Sequence, residues 1–426
     1  MRRIRFTVFG ALLVLAACDF DVSNPGPIEA DALNDPAAFE GLVRGMSQAT
    51  SFALWRLAFV GGEVSRELIE AGRFFSPKLP VVPGQLTQES IGSGYWNPAV
   101  RARWVAEDGV RRFRELLDDF DSSPLAVRAL LHAGFANRML GENFCEAVID
   151  SGPAEPNEVY FERAEGQFTE ALRIAETLGD SEAVHAARAG RAGVRIYLDD
   201  WPGAADDAAS VPDGFVREAE YYGDQGLDQY NNLYWSNANS PFRTYSIAET
   251  FYESYYEETG DPRAAWGTDP NQPVGELAHV RWLFTVNKHN DFDAPINVAS
   301  GREMRLIEAE AQLRRGDAAA AVNILNDLRH TVVSDHDGAP LAPWPETADL
   351  EKAWEYLKLE RGIELWIEGR RMGDLRRWTA DGSLGETVDV SDRIRLCLPI
   401  ADSEKDTNPN LDPNHQDPIN PAYTGR

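Results

Sequence analysis

Two segments of the sequence share one design: an amphipathic helical pattern, a Gly-Asp pair and a second helical pattern. Between residues 157 and 178 the apolar positions recur every three or four residues, at Ala164, Phe168, Ala171, Leu172 and Ala175. After Gly179-Asp180 the spacing returns with smaller residues, at Ala186, Ala189, Gly190, Gly193, Val194 and Tyr197. Small side chains let two helix backbones approach closely. The pattern predicts antiparallel helix pairs that resemble tetratricopeptide repeats.

Similar pairs are predicted at 98–140 and at 302–333, the latter with a turn at Gly316-Asp317. In contrast, residues 210–300 have little helical period and many Tyr, Trp, Asn, Pro and Gly residues. We expect an irregular insertion there, of the kind that often carries binding residues. The predicted fold is therefore mainly α, with tetratricopeptide-like helix pairs, a loop-rich insertion at about 210–300 and few short strands.

The N-terminus has the pattern of a secretion signal. Three arginines precede an apolar run from Phe6 to Ala17, which is too short to span a bilayer. Leu15-Ala16-Ala17-Cys18 resembles a lipobox, so residues 1–17 are predicted to be a lipoprotein signal peptide and Cys18 the acylated first residue, with palmitate among its chains. An ordinary signal with an incidental cysteine is the alternative. Residues 18–34 would be an extended tether, and 35–426 a single helical-repeat domain.

The acidic balance of the chain excludes two classes of partner. With 69 acidic and 41 basic residues, the formal net charge is −28. Such a field repels nucleic acid and anionic lipid surfaces. Membrane attachment must therefore come from the lipid on Cys18.

Two cysteines remain after Cys18, and both lie in the predicted exported domain. Cys145 and Cys397 are an even pair in a compartment where disulfides persist, and they lie 252 residues apart. The sequence leaves two alternatives open: one bridge between the two ends of the fold, or two free buried thiols.

Catalytic and metal-binding patterns are weak. The seven histidines show no H-E-x-x-H spacing, and no P-loop, dinucleotide-binding or G-x-S-x-G pattern occurs. Carboxylate pairs arise by chance among so many acids, so they indicate no glycosidase. Residues 334–338 and the pair Asp291 and Asp293 offer calcium-type oxygen ligands, but their composition is more typical of turns. We therefore expect no enzyme, no cofactor and no metal site.

Residues 357–378 predict one long helix. Leu359, Ile363, Trp366 and Ile367 would form its apolar face, while Arg361, Glu364, Glu368 and Arg371 would pair with one another on adjacent turns.

The same segment, "ERGIELWIEGRRMGDLRRW", resembles the C-terminal signature of the SusD/RagB-like outer-membrane nutrient-binding lipoproteins. The matching positions are Glu360, Arg361, Glu364, Leu365, Glu368, Gly369, Arg371, Asp374, Leu375, Arg377 and Trp378. Three further segments are similar to the family: "REMRLIEAEAQLRRGD", "DPR" at 261–263 and "LPIADSEKDTNPNL". The resemblance covers nearly the whole chain, with the signature region at 357–426.

The resemblance implies a helical-repeat fold, a lipid anchor in the outer membrane, exposure at the cell surface and no catalysis. It also implies two partners: a SusC-like TonB-dependent β-barrel transporter, and a glycan or peptide nutrient that is delivered to it. In this family the C-terminal segment packs back on the helical core, which supports a Cys145–Cys397 bridge. The alternative function is a helical-repeat adaptor lipoprotein in outer-membrane assembly, without a small-molecule ligand.

Sugar-binding sites combine aromatic rings, which stack on sugar C–H faces, with polar side chains that bond the hydroxyls. Three clusters fit this description, at 92–97, 228–240 and 266–282. We expect the rings of Tyr95, Trp96, Tyr230, Tyr234, Trp235 and Trp266 to be the platforms, with Asn97, Asn231, Asn232 and Asn237 as polar partners. The second cluster is favoured, because its asparagines would be wasted in a core.

Overall fold

The structure, a computed structural model, describes residues 30–72, 92–226, 228–239, 242–385 and 388–424. The predicted signal peptide, Cys18 and most of the tether therefore lie outside the described residues. Ala30–Asn34, which the sequence analysis placed in the extended tether, instead form a short 3-10 helix. None of the described helices has the length and apolarity needed to cross a membrane.

Helices dominate the described residues, as predicted. Their bounds are α1 Phe39–Val64, α2 Asn97–Leu116, α3 Pro124–Asn143, α4 Glu158–Leu178, α5 Ser181–Arg195, α6 Trp201–Ala209, α7 Phe251–Thr259, α8 Gly301–Arg314, α9 Ala318–His330, α10 Leu350–Glu364, α11 Arg371–Ala380 and α12 Asp402–Thr407. Both Gly-Asp turns lie where the sequence places them, and Gly179 and Gly316 end their helices with positive φ, at 70° and 83°.

The described strands are short and form four antiparallel pairs. They are β1 Ile69–Glu70, β2 Glu146–Val148, β3 Ala154–Pro156, β4 Val216–Ala219, β5 Tyr245–Ser246, β6 Trp266–Gly267, β7 Phe284–Thr285 and β8 Ile296–Ser300. The pairs are β1 with β5, β2 with β3, β4 with β8, and β6 with β7. Five of the eight lie in the predicted insertion, which also contains α7, a helix that the sequence analysis missed.

The small residues of α5 have the packing role that their spacing predicts. Phe168 of α4 is fully buried and packs between two helices at glycine positions. A Cβ added to Gly190 of α5 would lie 2.4 Å from the Phe168 ring, and one added to Gly134 of α3 would lie 2.6 Å from it. The two glycines therefore make the space that a large aromatic ring needs between close backbones.

The prediction of one continuous helix at 357–378 is wrong. The chain leaves α10 after Glu364 and enters α11 at Arg371, and Ile367 and Gly369 between them have positive φ of 54° and 76°. Trp366 and Ile367 are fully buried in this break. In a continuous helix these two side chains would lie on one apolar face. Because the helix breaks here, both side chains enter the core.

The four charges that were predicted to pair with one another, Arg361, Glu364, Glu368 and Arg371, contact other residues instead. Arg361 donates to Asp374 at 2.6 Å, and Glu364 accepts from Arg263 and Arg302, each at 2.8 Å. Arg371 donates to a backbone carbonyl, that of Lys358, at 2.8 Å. Buried charges are tolerated when they are paired, so this network locks α10 and α11 to the surrounding helices.

Cys145 and Cys397 form a disulfide, with an S–S distance of 2.14 Å. Backbone hydrogen bonds flank it: Cys145 N–H donates to the Leu398 carbonyl at 2.9 Å, and Leu398 N–H donates to the Asn143 carbonyl at 2.7 Å. The C-terminal segment is thus attached to the end of α3 by both covalent and hydrogen bonds.

Candidate ligand-binding site

Residues 228–239 form an ordered loop that is fixed by Asn231. The backbone N–H of Asn231 donates to the Phe292 carbonyl at 2.7 Å, and its Nδ2 donates to the Ala294 carbonyl at 2.7 Å. Its Oδ1 accepts from the backbone N–H of Leu233 at 3.0 Å. Because Asn231 is fully buried, these bonds form in a low-dielectric setting and hold the loop against the segment 289–294.

The support for Asn231 continues through His289 to the signature segment. His289 Nε2 lies 3.1 Å from the Ile367 carbonyl, which can only accept, so Nε2 carries the hydrogen. His289 Nδ1 then accepts from Asn231 Nδ2 at 3.1 Å. Burial and the nearby Lys288 lower the pKa of His289 to about 3, so the imidazole stays neutral and keeps this arrangement at physiological pH.

This loop presents aromatic rings at the surface. The rings of Tyr230 and Tyr234 both contact the Phe292 ring, and their centroids lie 4.9 Å and 5.2 Å from its centroid, respectively. All three rings are half-buried. Trp235 packs on Phe242 at 5.0 Å, and both rings are also half-buried. We call these five rings, Tyr230, Tyr234, Trp235, Phe242 and Phe292, the aromatic surface. Edge and tilted contacts fix the rings while leaving part of each exposed.

Two aromatic platforms expected from the sequence are core residues. Tyr95 is 4% exposed and Trp96 is fully buried. The Trp96 ring packs edge-on against Phe144 at 5.0 Å, and its Nε1 donates to Glu404 at 3.2 Å. Their proposed role as sugar platforms is therefore wrong, because neither ring is accessible to a ligand.

The expectation for the asparagines was also wrong for Asn231 and Asn232, which are buried and do not face a ligand. Asn232 donates to the Tyr230 carbonyl at 3.1 Å. These amides instead fix a loop in which Leu233–Ala238 form a short π-helix. The side chain of Asn237 lies outside the described part of the structure.

The remaining candidates are at the surface but have separate surroundings. Asn97 is exposed and accepts from the Ser403 hydroxyl at 3.4 Å. Trp266 is half-buried, donates from Nε1 to the Glu253 carbonyl at 3.2 Å and packs edge-on against Tyr256 at 6.1 Å. Of the ten predicted ligand residues, Tyr230, Tyr234 and Trp235 are the ones that the structure brings together with exposed ring area.

A cleft of about 880 Å³ adjoins the aromatic surface through Asp228 and Gln229, which line it. Tyr222, another lining residue, is 47% exposed, and its backbone N–H donates to the Gln229 carbonyl at 2.8 Å. Neither this cleft nor the contribution of the Phe292 ring was predicted from the sequence. The volume is in the range of small-molecule sites.

The acidic turns considered for calcium have other roles. Asp335 accepts from the Tyr256 hydroxyl at 3.2 Å, and Asp291 accepts from the backbone N–H of Phe292 at 2.7 Å. Elsewhere in the described chain, Glu146, His415 and Asp417 converge within metal-ligand distance of one another. There, however, His415 already pairs with Glu146 at 2.5 Å, and Lys405 lies 3.7 Å from Asp417.

Comparison with known proteins agrees with the resemblance in the sequence. Residues 303–417 match the model of the SusD family. A laminarin-binding SusD-like protein superposes with a TM-score of 0.64 at 15% identity, covering 92% of this chain and 100% of that one. Surface glycan-binding protein A from Bacteroides uniformis superposes with a TM-score of 0.62, with the same identity and coverage.

A SusD superfamily protein from Bacteroides thetaiotaomicron gives a TM-score of 0.66 at 14% identity, covering 92% of this chain and 99% of the other. A search of curated proteins by sequence gave no significant relative. At such low identities the superpositions establish the fold, whereas the match over 303–417 establishes the sequence relationship. Residues 303–417 are therefore similar in sequence to the SusD family, and the chain has the fold of SusD superfamily proteins.

Proposed function

We propose that this chain is a lipid-anchored nutrient-binding protein of the outer membrane that faces the cell surface. It captures a glycan and delivers it to a TonB-dependent β-barrel transporter, and it does no chemistry itself. The observation that carries the binding part of this proposal is the aromatic surface, a set of partly exposed rings that are held in place by buried hydrogen bonds.

A rigid ring gives a sugar flat apolar contact at a low entropic cost, because the protein loses little freedom on binding. Asn231 and His289 provide that rigidity, because their buried hydrogen bonds are already formed without a ligand. Two structures with the same fold are described as a laminarin-binding and a glycan-binding protein, which favours a carbohydrate as the ligand.

The anchoring part of the proposal rests on the sequence. Signal peptidase cleavage before Cys18 would leave an acylated cysteine and a tether rich in Pro, Gly and Asn ahead of the helical domain, which we take to be a single domain from residue 35. The SusC-like transporter as partner follows from the family resemblance.

Binding is tested on a glycan array, with affinities for the hits measured by calorimetry. Trp235→Ala should weaken binding by about 1 to 3 kcal/mol, the scale of stacking on an aromatic ring, without unfolding the protein. Trp104→Ala is the matched control, because Trp104 is 55% exposed on α2 and is not part of the aromatic surface. Equal affinities for the two variants would place the site elsewhere.

The partner is tested by purifying the tagged native lipoprotein from outer membranes in mild detergent. Recovery of a large TonB-dependent barrel in near-equal amount is the expected result. Recovery of assembly factors without a barrel would favour the adaptor function.

A further inference from the structure

The cleft beside the aromatic surface is built from elements that are distant in sequence. Its walls are the first turns of α1, the first turns of α3 and strand β4 with the loop that follows it. Val216, Arg217 and Glu218, three consecutive residues of β4, all line it. A regular strand would alternate its side chains between two faces, but the pairing of β4 with β8 shifts register between Arg217 and Glu218. Such a bulge redirects side chains, and here it places Arg217 on the cleft.

Arg217 forms no ion pair with a carboxylate of the described residues. It is half-buried, although the charges of Glu182 and Glu220 act on it from a longer distance. Other arginines with restricted exposure, such as Arg361 and Arg377, are each paired with carboxylates. Burial lowers the pKa of Arg217 despite Glu182 and Glu220, so a partly desolvated cation without a close counter-ion faces the cleft.

Two buried polar side chains at the cleft make no hydrogen bond within the described residues. Ser51 is 4% exposed, and its hydroxyl has no hydrogen-bond partner among the described residues. His132 is 9% exposed, and its ring makes no hydrogen bond within the same part of the chain. Burial, aided by Arg217 and Arg128, lowers the pKa of His132 to about 3, so its ring is neutral and can donate from one nitrogen and accept at the other.

The other charges of the cleft are of both signs. Arg44 and Arg128 lie on the helical side, and Arg128 is paired with Glu40 at 2.9 Å. The acids that line the cleft are Glu182, Glu218, Glu220 and Asp228, and Glu220 accepts from the Tyr222 hydroxyl at 2.7 Å. These carboxylates, and the glutamines that also line the cleft, can bond sugar hydroxyls. The same carboxylates disfavour a ligand that has a negative charge on every sugar unit.

We propose that the cleft binds the carboxylate of an acidic sugar unit, with the guanidinium of Arg217 as its partner and Ser51 and His132 bonding the adjacent hydroxyls. A planar guanidinium fits a carboxylate through two parallel hydrogen bonds. Neighbouring neutral units of the same chain would extend past Gln229 to the aromatic surface. This assignment rests on the proposed glycan-binding function and specifies the ligand as an oligosaccharide that contains a uronic acid.

The test is an array of defined oligosaccharides with neutral, uronic acid and sulfated members, followed by calorimetry on the hits. Two variants probe the cleft independently. Arg217→Gln removes the cation, and Gly45→Phe fills the space, because a Cβ at Gly45 meets no atom within 4 Å. Their controls are Arg315→Gln, an exposed arginine outside the cleft, and Gly166→Phe, at a helix position with equally open space. Circular dichroism establishes that all four are folded.

Uronic acid oligosaccharides are expected among the hits, with affinity at least tenfold weaker in Arg217→Gln and Gly45→Phe, and within about twofold of wild type in both controls. Hits limited to sulfated or neutral members, or uronic acid binding that neither cleft variant alters, would overturn the proposal. Neutral glycans that are lost in Trp235→Ala but kept in Arg217→Gln would leave the glycan-binding function standing without the cleft. If no oligosaccharide of any class binds, that result would contradict both the cleft proposal and the glycan-binding function.

Discussion

The carboxylate of Glu67 accepts the backbone N–H of Ile367 at 3.0 Å, although the two residues are 300 positions apart. The carbonyl of Glu67 also accepts from Trp366 Nε1 at 3.0 Å. The end of α1 and the break between α10 and α11 are therefore held together at one buried carboxyl, which also accepts from the Ser65 hydroxyl at 3.1 Å.

The first prediction concerns the pH dependence of this contact. Burial raises the pKa of Glu67 to about 7, although the Ile367 N–H and Arg371 oppose the shift. The folded state therefore binds a proton that the unfolded state releases at its ordinary pKa of 4.5. Between these two values the free energy of unfolding falls as pH rises, by about 3 kcal/mol for this group.

Glu67→Gln should remove this contribution, so its stability should decline less than that of the wild type between pH 4.5 and pH 8. Urea unfolding at several pH values measures the difference. Glu115→Gln, at an exposed position on α2, should give a curve parallel to the wild type. A Glu67→Gln curve that is also parallel would show that Glu67 titrates normally.

Asn231→Ala should disorder the loop that carries the aromatic surface. The change removes the side-chain bonds to Ala294 and Leu233 and leaves buried backbone groups unpaired, so we expect a loss of about 2 kcal/mol or more in the free energy of unfolding. Glycan binding should weaken in parallel. Asn271→Ala, at an exposed position, should stay within about 0.5 kcal/mol of wild type; similar losses in both variants would contradict the anchoring role of Asn231.

Two glycine variants should change the free energy of unfolding in opposite directions. Gly190→Ala places a methyl group 2.4 Å from the Phe168 ring and should destabilise the protein by about 1 to 3 kcal/mol. Gly166→Ala, in the neighbouring α4, meets no atom within 4 Å and should stabilise it by roughly 0.5 to 1 kcal/mol through helix propensity. Thermal unfolding of both variants measures the contrast. A stabilised Gly190→Ala protein would mean that α5 can move away from Phe168.

Cys18→Ala should release the protein from membranes, because the acidic chain has no electrostatic attraction to anionic lipid that would replace the anchor. Fractionation of cells that express each form, with the variant expected in the soluble fraction, is the measurement. Full retention of the variant in the membrane fraction would remove the lipobox argument.

The helix pairs were predictable because their cause is local. A spacing of three or four residues places Ala164, Phe168 and Ala171 on one face, and that face is buried in the structure. The break at Ile367 was not predictable in the same way. Leu365, Trp366 and Ile367 are apolar and fit a helix locally, and the left-handed backbone at Ile367 is held by Glu67, which is remote in sequence.

The candidate site was predictable in its aromatic part but not in its polar part. The sequence located Tyr230, Tyr234 and Trp235 by composition. The groups that accept from Asn231 Nδ2, however, lie about 60 residues downstream, so the burial of Asn231 could not be inferred from its neighbours in sequence. The same limit applies to the cleft. Ser51, His132 and Arg217 come from three separate elements, and the register shift beside Arg217 depends on the pairing of β4 with β8, which is distant in sequence.

The disulfide between Cys145 and Cys397 has a consequence for proteolysis. Any single cut in the 252-residue interval between them produces two fragments that remain covalently joined. On a gel run without reductant, protein nicked in an exposed segment such as 212–214 would migrate close to the intact chain, and the fragments would separate only after reduction. A nicked molecule could thus keep both halves of its helical frame assembled at the cell surface.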